Sequence, residues 1–418
     1  MKTRALLFSG MVAALTAGCA SAPPVPAAPA VPYAQKMGWI ISLEDRRILA
    51  DPTLAPVAVT PAVAPRRGAA APAFVPAPDL AVLARDPEAR VRRRAALAIG
   101  SVGLPDGLPS LAALLEDAEP EVRGMAAFSI GLIGNPESAT TLVTALADPS
   151  PLVRGRAAEG LGIICTAPPN GASPCDASVA AAIASMGAAY LPQAAAMSGD
   201  EERAGTEEAG AWRLAALALV RLRDWDALSK IALDPADALR PSTMWWPAAY
   251  ALQRIGNPAA VPALRVLAAS PTVTAAAFAM RGLADHRDAA SRALLTAAAT
   301  DTARDVRVRV TAVRALGRLG GAESSATLLA LLGEPALDDN LKLEAIGALA
   351  ATGEAAAAEP LLDLLADDWP AVRSASLDAV ARLNPDTFTL VLSSLLPDRD
   401  WSVRAALARV LATLSPDV

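Results

Sequence analysis

The chain has 418 residues, a formal net charge of −6, 53% hydrophobic residues and only 4% aromatic ones. Alanine dominates the hydrophobic fraction and is the strongest helix former, so the composition favours closely packed helices. Nucleic-acid-binding proteins carry a basic surface, whereas this chain is acidic, so we expect no nucleic-acid partner. This length would ordinarily indicate two or three globular domains, but that rule does not apply to stacked repeats.

Residues 1–18 predict a signal peptide, with a charged start at Lys2 and Arg4, an apolar core and a small-residue cleavage site before Cys19. The site resembles a bacterial lipobox, which implies that Cys19 is acylated and becomes the mature N-terminus. The alternative is an ordinary secretory signal with a chance cysteine. Ala20 resembles an outer-membrane sorting residue, so we expect a lipid-anchored protein on the periplasmic face of the envelope, at the outer membrane. No later apolar stretch predicts a transmembrane helix.

Three segments follow before the main body of the chain. Residues 19–33 are rich in Ala and Pro and predict a stiff tether. Residues 34–52 predict an amphipathic helix, with Ile40 and Leu43 on the face opposite a run of charges, which either caps the body or docks on a partner. Residues 53–77 predict a second Pro/Ala-rich linker.

From residue 78 onward, a helical pattern recurs about every 31 residues, which is typical of stacked repeats. Each unit predicts a short helix A, an Asp/Pro turn and a helix B with one apolar stripe, usually closed by glycine. Aligning helix B gives positions 91, 122, 153, 211, 244, 272, 308, 341, 372 and 403. We therefore predict an all-α fold, an α-solenoid of about ten helical hairpins forming an α-α superhelix. No run of residues predicts a strand.

The spacing between repeats divides this body. Residues 78–163 and 301–418 hold regular repeats, whereas residues 211–300 hold atypical central ones. Residues 164–210 predict an insertion that contains Cys165 and Cys175. In an exported protein such a pair predicts a disulfide, and metal binding is the weaker alternative because no histidine lies nearby.

The repeats resemble HEAT repeats, particularly the bacterial kind called phycobilisome-lyase-like. The resemblance depends on an Asp followed six residues later by Arg, a small residue four positions after the helix-B Val, and the closing glycine. It implies that the turn Asp and the helix-B Arg bond between neighbouring repeats as a ladder, which the affinity of carboxylates for helix N-termini and of Arg for carboxylates also favours. We expect the following ladder residues to be structural: Asp86, Arg92, Asp117, Arg123, Asp148, Arg154, Asp367, Arg373, Asp398 and Arg404.

The alignment places tryptophan at the Arg position in two consecutive central repeats, at Trp212 and Trp245, beside Trp246 and Tyr250. Because Trp and Tyr are enriched among binding hot spots, we hypothesise that this cluster contacts a partner. The alternative, which we favour, is that tryptophan fills the space left by the missing ion pair while Pro247 kinks a helix.

Catalytic patterns are weak. The single histidine, His286, lies in a turn, and no nucleophile triad, phosphate loop or metal cluster is evident. We therefore expect no catalytic residues, no cofactor and no bound metal. The segment from Lys36 to Arg47 is similar to the N-terminal part of HEAT-repeat lipoproteins that continue into a cyclophilin-type peptidyl-prolyl isomerase, but no residues here match such a domain.

These patterns predict a non-catalytic, lipid-anchored scaffold that binds a protein or an extended peptide in the bacterial envelope. One alternative is the recognition arm of a larger peptidyl-prolyl isomerase or folding factor. A further alternative is a diverged phycobilisome-type lyase. The oligomeric state stays open.

Overall fold

The computed structural model describes residues 31–53, 57–58, 74–75, 77–168, 171, 173–197, 205–393 and 397–413. The predicted signal peptide, Cys19 and most of the 53–77 linker lie outside these residues. The helices are, in chain order, α1 (Tyr33–Asp45), α2 (Leu80–Leu83), α3 (Ala89–Val102), α4 (Leu108–Leu114), α5 (Pro120–Ile133), α6 (Ala139–Ala145), α7 (Pro151–Ile164), α8 (Ala177–Ala188), α9 (Leu191–Ala196), α10 (Glu207–Leu222), α11 (Trp225–Ala232), α12 (Trp246–Ile255), α13 (Val261–Ala268), α14 (Val273–Asp285), α15 (Arg292–Thr300), α16 (Val306–Leu319), α17 (Ala322–Leu332), α18 (Asp339–Thr352), α19 (Ala358–Leu362), α20 (Pro370–Leu383), α21 (Pro385–Leu392) and α22 (Trp401–Thr413).

Two rows of helices form the body. The first row consists of what we call the B helices, which are α3, α5, α7, α10, α12, α14, α16, α18, α20 and α22, and each packs against the next. The second row supplies a shorter helix to each hairpin, as in the contacts of α4 with α5 and of α13 with α14. The described residues thus contain ten stacked hairpins, and the predicted all-α solenoid is confirmed.

Glycine sets the ends and the spacing of the B helices. Gly134 follows α5 with φ of 74°, a left-handed conformation that lets the chain leave the helix without a Cβ clash. Between α5 and α7 the backbones approach so closely that a Cβ on Gly131 would lie 2.4 Å from the Cα of Gly160. The row of B helices therefore tolerates only small residues where the helices cross.

Two antiparallel strand pairs interrupt the helical pattern and were not predicted. The strands β1 (Val57–Ala58) and β2 (Phe74–Val75) pair within the predicted linker. The strands β3 (Leu233–Asp234) and β4 (Asp237–Pro241) form a small hairpin between α11 and α12. The β4 residues are mostly exposed, so they lack the alternation of apolar and polar residues by which a sequence signals a half-buried strand.

The B helices continue through the segment that the sequence marked as an insertion. Helix α7 packs directly against α10, although about 40 residues separate them in the chain. Helix α8 lies against α10 and α11 and therefore takes the place of a helix A. The extra residues thus enlarge one repeat without separating the two halves of the stack.

Helix α1 packs against α3 at the N-terminal end of the stack. It ends at Asp45, well before residue 52, because Arg47 adopts a left-handed conformation with φ of 53° and the chain turns there. Ala50 then pairs with Asp79 in an isolated antiparallel bridge. Of the two predicted roles of this segment, the packing supports the cap.

The aligned positions of the sequence need correction in the three central repeats. In the other seven repeats, the aligned residue is the third residue of the B helix, as Val91 is in α3. In α10, α12 and α14 the buried third residues are Ala209, Ala248 and Ala275, in place of positions 211, 244 and 272. An alanine at this position cannot be distinguished by sequence from the many neighbouring alanines.

Candidate binding surface

The ladder carboxylates lie in the turns that precede the B helices. Each accepts a hydrogen bond from the backbone N–H two residues later, as Asp148 does from Ser150 at 2.8 Å. The same bond is made by Asp86, Asp117, Asp367 and Asp398. The aspartates therefore shape the turns as well as offering their charge to the helix N-terminus.

Each paired ladder arginine reaches forward to the aspartate of the next repeat. Arg123 donates from Nε and Nη2 to the two carboxylate oxygens of Asp148, at 2.8 and 2.9 Å. Its remaining nitrogen, Nη1, donates to the backbone oxygen of Asp117 at 2.9 Å. The same double contact joins Arg92 to Asp117 and Arg373 to Asp398. One planar guanidinium thus binds its own turn and the following one.

Burial and charge make these pairs structural. The side chains of Arg123 and Asp148 are only 13% and 11% exposed. The hydrogen bond from Arg92 lowers the pKa of Asp117, and that from Arg373 lowers the pKa of Asp398 to about 2. A carboxylate held ionised and enclosed by its partner is poorly placed to exchange protons with a substrate.

Two lysines that the repeat pattern did not predict as ladder residues extend the ladder. Lys36 of α1 contacts Asp86 at 2.8 Å, so the terminal carboxylate of the stack is paired with the capping helix. Lys342 occupies the fourth position of α18, where other B helices carry arginine, and pairs with Asp367. The equivalence of Lys342 and Arg373 in the 31-residue register was a signal that could have identified it.

Two ladder arginines differ from the others. Arg154 lies at the enlarged repeat, and its guanidinium lies 5.3 Å from the centre of the Tyr190 ring. Arg404, in α22, donates to the backbone oxygen of Asp398. Among the described residues, neither arginine is paired with a carboxylate of a following repeat. The ladder is therefore confined to the two ends of the stack.

In the centre, hydroxyl groups take the place of the ladder aspartates. Thr243 accepts a hydrogen bond from the backbone N–H of Trp245 at 3.1 Å, and Ser270 accepts one from that of Thr272 at 3.2 Å. Both residues lie three positions before a B helix, as Asp86 does before α3. The turn geometry is thus retained without the charge.

The hypothesis of a tryptophan binding site fails for Trp212 and Trp245. Both side chains are fully buried, and their ring centres lie 6.1 Å apart between α10 and α12. Neither occupies the fourth position of a B helix, so neither replaces a ladder arginine. Pro247 is the second residue of α12 and lies in its first turn, where proline is favoured, so it does not kink the helix. The two tryptophans fill the core.

Trp246 and Tyr250 are half-buried and pack with Phe278 of α14, a residue outside the predicted cluster. The rings of Tyr250 and Phe278 meet edge to face with centres 5.2 Å apart. We call Trp246, Tyr250 and Phe278 the aromatic cluster. It lies between α12 and α14.

A groove of about 410 Å³ is lined by residues of α14, α16 and α18, so it lies on the side of these B helices that the second row leaves uncovered. Its lining includes Arg281, Arg314 and Gly347, which are the ninth residues of the three helices. Arg314 donates to Glu344 across the groove at 2.7 Å, and Arg281 stacks on the Phe278 ring. The groove lining thus combines arginines with glycine and alanine residues.

Cys165 and Cys175 are joined by a disulfide that closes the loop between α7 and α8. His286 follows α14 at a turn. Within the described ranges, no group of three or more His, Cys, Asp or Glu side chains is arranged to hold a metal ion.

No helix in those ranges combines the length and the apolar character needed to cross a membrane.

Comparisons with known proteins identify the repeat class. The family described as HEAT repeats matches residues 108–173, and the family described as PBS lyase HEAT-like repeat matches residues 91–117 and 308–334. The chain therefore contains HEAT repeats of both descriptions. No curated protein matches the sequence.

Several solved structures are similar to this chain. An engineered protein is 19% identical over 80% of this chain and 97% of its own length, with a TM-score of 0.40. A Kap121p mutant is 13% identical over 79% of this chain, with a TM-score of 0.49, and this chain spans 40% of it. The complex of CpcE and CpcF of phycocyanin lyase from Nostoc sp. PCC7120 is 18% identical over 84% of this chain and 100% of that one, with a TM-score of 0.28.

Proposed function

We propose that this chain is a non-catalytic scaffold that binds a protein partner along the outer side of its B helices. The observation that carries the proposal is the continuous row of ten B helices, whose outer side presents one surface across many repeats. Exposed or partly exposed arginines recur along it at Arg93, Arg156 and Arg314. Such a surface suits an extended partner, since each repeat adds a few contacts in line with the last.

The proposal includes a lipid anchor at Cys19, which lies outside the described residues. An acylated Cys19 would hold the repeats at the periplasmic face of the outer membrane, with residues 19–33 as the tether. The leader pattern before Cys19 and the disulfide between Cys165 and Cys175 support this location, because disulfides persist in exported proteins.

The test compares the wild-type chain with Cys19→Ser in a bacterial host. We expect wild-type protein in the membrane fraction and labelled by a fatty-acid analogue, and Cys19→Ser in the soluble fraction without label. Ser21→Ala, two residues further on, is the matched control and should behave as wild type. Wild-type protein that stays soluble and unlabelled would reject the anchor.

The binding role is tested separately by capture of partners from detergent-solubilised membranes. A scaffold should retain a defined protein in stoichiometric amounts, and the retained protein should bind again when purified. Failure of every retained protein to rebind would reject the scaffold. Proline-isomerisation activity of the intact chain would instead favour the folding-factor alternative.

The match to PBS lyase HEAT-like repeats over residues 91–117 and 308–334 supports a second candidate, a diverged lyase that attaches a bilin chromophore. The assay mixes the chain with a free bilin and an apo-phycobiliprotein, and measures covalent transfer by fluorescence after denaturing electrophoresis. Transfer that depends on the chain would favour the lyase over the scaffold.

A further inference from the structure

Gly347 is an exposed glycine in the middle of α18, and nothing in its own surroundings requires glycine. A Cβ built there meets no atom within 4 Å. Gly317 in the neighbouring α16 is different, because its Cβ would lie 2.7 Å from the backbone oxygen of Ala348. Since glycine destabilises a helix interior relative to alanine, packing explains Gly317 but not Gly347.

Gly347 lies in the groove between α14, α16 and α18. Ala315, Ala348 and Ala351 also line the groove, so short side chains adjoin Gly347, and Glu344 and Arg314 are the longer neighbours. A glycine at this point allows the backbone of a bound chain to approach α18 closely. The missing Cβ thus widens the groove where a ligand would lie.

The charges around the groove do not balance. Arg314 is paired with Glu344, and Arg318 is paired with Asp285. Arg281 stacks on the Phe278 ring, and no carboxylate of the described residues is paired with it. The groove therefore keeps one positive charge in a chain whose net charge is −6. A carboxylate is the complementary group for this free guanidinium.

The aromatic cluster continues the groove at Arg281, because Phe278 contacts both Arg281 and Tyr250. Trp, Tyr and Arg are the residues most enriched among binding hot spots. Half-buried rings beside a free guanidinium offer apolar contact and charge recognition within one continuous surface.

We infer that this groove binds an acidic, extended peptide segment of the partner protein. The peptide backbone lies over Gly347, a carboxylate pairs with Arg281, and an apolar side chain rests on the aromatic cluster. This inference depends on the proposed scaffold function, for which it names the partner's chemistry and the site.

The test selects from a phage-displayed library of random twelve-residue peptides on the intact chain. We expect selected peptides to be enriched in Asp and Glu. The affinity of the best peptide, measured by fluorescence anisotropy, should fall at least tenfold in Gly347→Leu and in Arg281→Glu. The melting temperature of Gly347→Leu should stay the same or rise, because leucine favours helix more than glycine does.

The matched controls are Gly38→Leu, at another exposed helical glycine with open space around it, and Arg85→Glu, at an exposed arginine in the turn between α2 and α3. Both should bind the selected peptide as wild type does. If Gly347→Leu loses structure, Gly347→Ala, which should raise the melting temperature, replaces it.

Three results would contradict the binding of an acidic peptide in this groove. They are no enrichment of peptides, enrichment without acidic residues, or a peptide affinity that is unchanged in both groove variants. A membrane partner that Gly347→Leu captures as well as wild type does would also overturn it. That last result would leave the scaffold function intact, so the two proposals fail separately.

Discussion

The guanidinium of a ladder arginine makes contacts that no other side chain can reproduce. Arg123 uses all three of its nitrogens, two on Asp148 and one on the backbone oxygens of Asp117 and Ala118. The rigid fork of the group matches this arrangement, whereas a lysine offers a single flexible charge. Lys342 accordingly pairs with Asp367 through one nitrogen.

Replacing Arg123 with alanine should destabilise the protein by about 2–4 kcal/mol, because it leaves the carboxylate of Asp148 enclosed and unpaired. Arg123→Lys should recover part of this loss. Arg382→Ala, which removes an exposed pair with Asp378 within one helix, is the control and should cost less than about 1 kcal/mol. Urea unfolding followed by circular dichroism measures all three. Equal losses for Arg123→Ala and Arg382→Ala would show that the ladder does not stabilise the stack.

Acid should weaken the ladder. The hydrogen bond from Arg373 lowers the pKa of Asp398 from 3.8 to about 2 in the folded chain. A carboxyl with a lowered folded pKa contributes stability above its unfolded pKa, and this stability is lost as the pH falls through its folded pKa. We therefore expect the difference in unfolding free energy between wild type and Asp398→Asn to shrink from pH 5 to pH 2. A difference that does not change with pH would contradict this role of Asp398.

At the scale of elements, sequence periodicity predicted the B helices well where the repeats are regular. The spacing from Asp86 to Val91 and on to Gly103 marks the turn, the buried residue and the end of α3 in one copy, and recurs in the next. The hairpin of β3 and β4 lacked such a signal, because its exposed residues alternate in no pattern. Helix α8 was placed in an insertion because the predicted helix-B positions 153 and 211 lie 58 residues apart, against about 31 between regular repeats.

Helix α1 is an element whose role only the contacts reveal. Its Lys36 is buried against Asp86, and its Glu44 pairs with Arg94 of α3. Pairing at both ends fixes the helix across the first hairpin. A capping helix of this kind is what a solenoid end requires.

Lys36→Glu should therefore loosen the N-terminal end of the stack. The introduced carboxylate carries the same charge as Asp86 and repels it in a partly buried setting, so α1 and α3 should exchange their amide hydrogens faster. Helices α20 and α22 should exchange as in wild type, because each repeat contacts only its neighbours. Hydrogen exchange followed by mass spectrometry measures this, with Lys230→Glu in α11 as the control. Faster exchange along the whole chain would contradict a local cap.

At the scale of the whole molecule, the groove could not be predicted from the sequence alone. Arg281, Arg314 and Gly347 are spaced by 33 residues and share the ninth position of three B helices, but the predicted register was shifted at the first of them. The burial of the tryptophan side chains could not be predicted either, because a tryptophan beside a helix start can point into the core or away from it. The structure buries Trp245 completely and leaves Trp246 half-buried.

The contact between Trp212 and Trp245 joins the two regular ends of the stack. Each end has its own ladder, whereas α10 and α12 meet through these fully buried rings. Because each repeat contacts only its neighbours, coupling between the ends must pass through this junction. The stability of the junction therefore decides whether the stack unfolds as one unit.

Trp245→Ala should split the unfolding of the chain. The lost ring leaves a large cavity, which costs about 3–5 kcal/mol at the junction of α10 and α12, while both ladders stay in place. We expect one thermal transition in wild type and two in the variant, with faster amide exchange in α10 and α12 but not in α3 or α20. Trp401→Ala, at a side chain that is 72% exposed, is the control and should leave a single transition. One transition at a lower temperature in Trp245→Ala would mean that the repeats are coupled over longer distances than nearest-neighbour contacts allow.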